Sequence, residues 1–178
     1  MHYPLSEDYC LRSYVDDDAK ALAHHASNPN IAKFLRDQFP QPYTRADAEA
    51  WIRHVRGRDP ETIFAIATAE ELIGNVGLYP QDDVYRLSAE LGYWLAEEYW
   101  GRGIVSGAVK AICEIAFSRS DMVRIFSCVF EDNVGSCRVL EKCGFRLEGV
   151  HRKAVFKAGK ITGEKMYSLL REEWQAAR

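Results

Sequence analysis

Two glycines one residue apart, in Trp100-Gly101-Arg102-Gly103-Ile104, form the arrangement in this chain with the plainest chemical use. They lie between a strand-like run, Leu87–Leu95, and a helix-like run with Ile104, Ala108, Ala111, Ile112 and Ile115 on one face. A strand that stops at such a turn and re-enters a helix makes an anion site. The amides of Arg102, Gly103, Ile104, Val105 and Ser106 have no intrahelical partner and can point at a phosphate. Gly101 and Gly103 permit a positive φ and remove the Cβ atoms that would block close approach. The Arg102 guanidinium offers a charge-assisted contact. General nucleotide motifs do not match: GxxxxGK[ST] is absent, and Gly101-x-Gly103-x-x-x-Gly107 misses GxGxxG by one residue. Glycines that merely cap a turn satisfy the same pattern, so it needs company.

The surrounding segments supply a frame. Cys10–Tyr14 alternates as a short strand, and Asp16–Ala26 reads as a helix with acidic first-turn residues, stopped by Ser27-Asn28-Pro29. Asn30–Arg36 reads as a second short helix. Thr44-Arg45-Ala46-Asp47 is a capping box with Asp in place of Glu, opening a helix with Ala48, Trp51, Ile52 and Val55 on one face. Thr62–Thr68 and Leu72–Leu78 read as a hairpin, and Arg124–Phe130 as a strand. Asn133–Cys143 is a helix with Gly144 at its left-handed end. Val150–Phe156 and Glu164–Leu170 pair across Lys157–Lys160. Strands and helices in this order predict one mixed α/β sheet within a single domain spanning residues 1–178.

Composition narrows the classes. With 178 residues the chain can bury an adequate core without staples. A net charge of −3 argues against a nucleic-acid binder, which carries a basic face. The acidic runs Asp16–Asp18 and Glu97-Glu98 read as a helix cap and a solvated turn. No run approaches the ~20 apolar residues of a membrane span, and the first eight residues lack the pattern of a secretory signal. Five cysteines without a CxxC pair read as reduced thiols in a cytoplasmic protein. The histidines show no ligand spacing, so no metal is expected, and His24-His25 reads as helix surface.

The company arrives about thirty residues after the glycine turn. Trp100–Ile104, then Asn133-Val134-Gly135-Ser136, then Glu141-Lys142-Cys143-Gly144-Phe145 together resemble the GNAT acetyltransferase superfamily. Within it the chain is similar to the branch of ribosomal-protein N-terminal acetyltransferases (RimJ/RimL type). Ala89–Leu95 before the turn and Tyr167–Trp174 at the end add to the likeness. In one place the chain departs: the family often has Gln or Arg three residues before the first glycine, and Glu98 stands there, its side chain expected to point outward.

The resemblance implies a mixed, largely antiparallel sheet of about seven strands with a splayed central pair, and acetyl-CoA as co-substrate. It implies that backbone groups of Trp94, Leu95 and Ala96 hold the pantetheine arm, and that the amides from Gly101 to Ser106 hold the pyrophosphate. Asn133 would contact the cofactor, although an N-cap role needs no ligand. Ser136 would hydrogen-bond the departing sulfur, the more so because the Tyr many relatives carry four residues on is Leu140 here. Glu90 resembles the glutamate that some relatives use as a base, and an exposed strand residue is the competing account. Phe34, Phe39, Tyr43, Trp51 and Tyr93 are candidates for the acceptor pocket, although aromatic residues at helical spacing also build cores. The implied activity is acetyl transfer to a primary amine, a protein N-terminus or a small molecule, by direct attack in a ternary complex. Two alternatives stand: a catalytically silent acyl-CoA sensor, and a structural or nucleotide-binding domain with no affinity for acetyl-CoA. A homodimer through an exposed last strand is a further expectation.

Overall fold

The computed structural model describes residues Met1–Ala177. Its strands are β1 (His2–Pro4), β2 (Cys10–Arg12), β3 (Ile63–Ala67), β4 (Leu72–Pro80), β5 (Ser88–Leu95), β6 (Arg124–Phe130), β7 (Arg146–Lys157) and β8 (Lys160–Leu170). Its helices are α1 (Asp18–Ala26), α2 (Pro29–Ala32), α3 (Arg45–Arg56), α4 (Ile104–Arg119), α5 (Val134–Lys142) and α6 (Arg171–Ala176). Hydrogen bonding orders the strands β1-β2-β3-β4-β5-β6-β8-β7. The β5–β6 pair is parallel, and the β1–β2, β2–β3, β3–β4, β6–β8 and β7–β8 pairs are antiparallel. This is the mixed, mostly antiparallel sheet expected, with eight strands rather than about seven. The chain divides into two compact units: Met1–Gly77 with Tyr93–Ala108, and Leu78–Gly92 with the segment from Val109 onward.

In the first unit β3 is buried at all five positions, as its unbroken apolar run Ile63-Phe64-Ala65-Ile66-Ala67 requires. Helix α1 buries Asp18, Ala19, Leu22, His25 and Ala26, a stripe at i, i+1, i+4, i+7 and i+8. The acidic run that opens it does not act as a simple cap. Asp17 at the N-cap makes no side-chain cap bond. Asp18 instead accepts the Val15 amide at 2.9 Å and both Arg12 guanidinium nitrogens at 2.7 and 2.6 Å. Thr44 forms the capping box as read, accepting the Asp47 amide while Asp47 accepts the Thr44 amide. The second helix is shorter than Asn30–Arg36: Asn28 caps it by accepting the Asn30 amide at 2.8 Å, and Pro29 takes N1.

Gly74 on β4 is a close-approach position. A Cβ there would stand 2.5 Å from the Trp94 carbonyl oxygen and 3.2 Å from the Leu95 Cα, both backbone atoms that cannot swing away. Gly74→Ala is expected to lower stability by about 1–3 kcal/mol through this overpacking, read as a lower midpoint in urea unfolding. An unchanged midpoint would show that the end of β5 yields at no cost.

In the second unit β6 alternates half-buried and buried along all seven residues, the period of a strand with one core-facing side. It pairs with β8 from Arg124↔Leu170 to Phe130↔Glu164. The β7–β8 turn places Ala158 and Gly159 at φ 49° and 78°, the left-handed pair that a tight hairpin needs. Because β8 lies between β6 and β7, the last strand of the chain is not the exposed edge that the dimer expectation assumed. That edge is β7, along which Leu147, Val150 and Phe156 are exposed.

Candidate functional site

The glycine turn lies in the first unit. Gly101 and Gly103 have φ of 76° and 79°, and a Cβ on either would meet no atom within 4 Å. They are glycines because of the backbone conformation, not for lack of space. The Gly107 amide donates to the Gly103 carbonyl at 3.0 Å, so the amides that precede it in α4 lie ahead of the helical ladder. The main chain leading into the turn is well tied. The Trp100 indole donates to the Leu95 carbonyl at 2.8 Å. The Arg102 guanidinium donates to the Glu98 carbonyl at 2.9 Å and lies 5.3 Å from the Tyr99 ring centre. Arg102 is therefore folded back along its own turn.

The strand end before the turn corrects one sequence reading. The Ala96 amide donates to the Ile73 carbonyl at 2.8 Å, and the Ala96 carbonyl accepts the Tyr99 amide at 3.0 Å. Both backbone groups of Ala96 are committed inside the fold, so it is not a pantetheine donor. Trp94 has the same parity along the strand, and its carbonyl lies against Gly74; its backbone faces β4. Leu95 alternates to the other edge.

The turn at Glu97-Glu98 is solvated as expected, with Glu98 exposed, and Glu97 is also hydrogen-bonded. The Asn28 and Asn30 side-chain amides donate to the Glu97 carboxylate at 2.6 and 3.0 Å and hold its carboxyl below the usual range. Glu98 Oε1 lies 3.4 Å from His25 Nδ1. His25 is not helix surface: it is 5% exposed, while His24 is exposed.

Among the acceptor-pocket candidates, the ring contacts join Phe39 to Tyr43 at 4.9 Å and Phe39 to Trp94 at 6.2 Å between centroids. Burial pushes the Tyr43 phenol up to about 12. Trp51 pairs instead with His54, and Phe34 with the Lys33 ammonium. The Trp94 side chain is thus a member of the aromatic cluster that sequence reasoning assigned only through its backbone. Tyr93 beside it is half-buried.

In the second unit β5 and β6 pair in parallel over Ser88↔Arg124, Ala89↔Ile125 and Glu90↔Phe126. One step further the Ser127 hydroxyl donates to the Leu91 carbonyl at 2.9 Å, so a side chain takes over from the ladder. Glu90 is half-buried opposite Phe126. Asn133 is the N-cap of α5, its side-chain oxygen accepting the Ser136 amide at 3.1 Å. The bond uses the serine amide, not its hydroxyl, and Ser136 is half-buried in the first turn of α5. The helix is pinned from below by Tyr167, whose hydroxyl donates to Glu141 at 2.9 Å. Burial, then hydrogen bonds to Cys137 and Glu141, push that phenol far up. Leu140 is fully buried on the same helix.

Comparison with known proteins gives a consistent picture. Residues 8–146 match the family model for the acetyltransferase (GNAT) domain. The uncharacterized N-acetyltransferase YoaA of Bacillus subtilis is 34% identical over 165 residues, covering 90% of this chain and 92% of that protein. The ribosomal-protein-serine acetyltransferase of Escherichia coli is 33% identical over 94 residues, 53% of this chain and 52% of that one. Among solved structures, RimL, a ribosomal L7/L12 alpha-N-protein acetyltransferase in complex with coenzyme A, superposes with a TM-score of 0.82 at 22% identity, covering 96% of this chain and 98% of that chain.

Proposed function

Because the chain belongs to the GNAT acetyltransferase family, we propose that it acts as one acetyltransferase domain, moving acetyl from acetyl-CoA directly to a primary amine. The observation that carries this reading is the Gly101–Gly103 turn at the head of α4, with left-handed glycines and the amides through Ser106 ahead of the helical ladder. Such a turn suits a diphosphate, whose charge the helix N-terminus also favours. The Leu95 N–H, on the strand edge away from β4, is the group of that strand end suited to an amide of the pantetheine arm. By the family's pattern Asn133 would offer its side-chain NH2 to the cofactor while its oxygen caps α5, and Ser136 would steady the departing sulfur. The acceptor amine is proposed as a protein N-terminus or a small molecule. The Phe39–Tyr43–Trp94 cluster supports an apolar wall for it, with Tyr93 shaping the pocket. The likeness to ribosomal-protein acetyltransferases favours the protein N-terminus. A homodimer formed through a sheet edge would use β7. The expected location is the cytoplasm.

The decisive test is calorimetric binding of coenzyme A to protein stripped of cofactor, followed by thiol release from acetyl-CoA with a panel of amines. Tight binding with no turnover on any amine would turn the assignment to a sensor.

Glu90 is proposed as the base. Attack needs a neutral amine, and an α-amine with a pKa of about 8 is mostly protonated below neutrality. Glu90→Gln is therefore expected to cost about 10-fold in kcat/KM at pH 6, and less as pH rises past the amine pKa. A pH-independent ratio of wild-type to variant rates would remove Glu90 from proton transfer.

A further inference from the structure

Glu98 puts a carboxylate three residues ahead of Gly101, beside a turn read above as a diphosphate site. An unrestrained acid there would oppose the anion. The side chain, 56% exposed, has one carboxylate oxygen beside the imidazole of His25. His25, in the last turn of α1 and 5% exposed, has Nδ1 3.4 Å from Glu98 Oε1 and Nε2 3.6 Å from Glu71 Oε1. Its Nε2 makes no hydrogen bond among the described residues. The other core residues on its stripe include Ala19, Leu22 and Ala26, and a buried imidazole there costs desolvation that an aliphatic side chain would not.

We infer that His25 is a positioning residue for cofactor binding: it holds the Glu98 carboxylate against α1, away from the anion-binding turn, and so keeps the turn open to a diphosphate. The inference rests on the coenzyme A reading above. Two further observations support it. The adjacent Glu97 is bound to the same helix junction through Asn28 and Asn30, so both successive carboxylates lie toward that junction. Arg102 holds the Glu98 carbonyl from the other side. The same arrangement accounts for the residue at which the chain departs from its family: the Glu98 carboxylate lies beside His25 and is not a phosphate ligand.

The test compares coenzyme A affinity by calorimetry in the wild type, His25→Leu, Glu98→Gln and the double variant. Releasing the carboxylate in His25→Leu is expected to weaken binding by about 10-fold, less than a desolvated like-charge contact costs because Glu98 is exposed to solvent. Glu98→Gln alone is expected to bind within about 3-fold of wild type, and the double variant to recover that affinity, since the repelling charge is gone. The defect of His25→Leu should shrink in about 0.5 M salt, as screening of an electrostatic effect demands and a packing defect does not. His25→Gln, which keeps a donor at the site, covers the case in which leucine prevents folding; it should bind near wild type. Wild-type affinity in His25→Leu, or a double variant as weak as His25→Leu, overturns the positioning role while leaving the coenzyme A reading intact. Absence of binding in the wild type itself overturns both.

Discussion

Gly103→Asp is expected to abolish measurable binding of coenzyme A while leaving the protein folded. The glycine sits at φ 79° with open space where a Cβ would stand, so the substitution creates no steric clash. Its cost to the fold is confined to the left-handed backbone, about 1–2 kcal/mol for a non-glycine residue and less for aspartate, which tolerates this region better than most. The cost to binding is larger. A carboxylate would stand among the amides proposed to meet the diphosphate. At about 5 Å and an effective dielectric near 20, each pair of like charges opposes binding by about 3 kcal/mol. Two phosphate charges therefore take the loss beyond about 100-fold, even with generous screening by solvent. Gly103→Ala separates the contributions: it carries the strain without the charge and should bind about 10-fold more weakly than wild type. Calorimetric titration of both variants, with thermal unfolding of the unliganded proteins, reads the two effects independently. Near-normal affinity in Gly103→Asp would remove the turn from the cofactor site.

The distance between what was legible in the sequence and what was not follows from the range of the interactions. Local patterns carried far. The β-rich composition of Arg124–Phe130 gave β6 with its observed limits, the Thr44–Asp47 box gave the start of α3, and Asn133 and Gly144 bracketed α5. Even the buried face of α1 was encoded, since Ala19, Leu22, His25 and Ala26 fall on one stripe. There the residue type misled: a histidine beside another histidine reads as surface, and only the helical period placed His25 inward. Interactions between distant segments left no such trace. The Glu97 clamp joins residues nearly seventy positions apart in sequence, and Ala96 is committed by a strand whose register the sequence does not give. β1 was missed because three residues ending in proline are too short to show a period. α6 was missed because the residues after Leu170 entered only as the end of the Tyr167–Trp174 motif, with no helix assigned to them.

Ser136→Ala is expected to lower kcat by about 100-fold, the cost of losing one preorganised donor to a developing negative charge, while the affinity for coenzyme A changes less than about 3-fold. An aliphatic hydroxyl is too weak an acid to protonate a thiolate whose conjugate thiol has a pKa of about 8.5, so the contribution proposed for it is a hydrogen bond that strengthens as the carbon–sulfur bond breaks. The N-cap of α5 does not depend on the hydroxyl. The N-cap of α5 uses the Asn133 side-chain oxygen and the Ser136 amide, both of which the alanine variant keeps, so the helix start survives. Asn133→Ala, by contrast, removes the cap and should cost about 1 kcal/mol of stability. Leu140 lies wholly inside the core on the same helix and has no proton to give, so the proposed role falls on the Ser136 hydroxyl. Single-turnover rates of acetyl transfer, measured with saturating acetyl-CoA and the best acceptor from the amine panel, isolate the chemical step from product release. A variant rate equal to that of the wild type would leave the Ser136 hydroxyl with no part in sulfur departure.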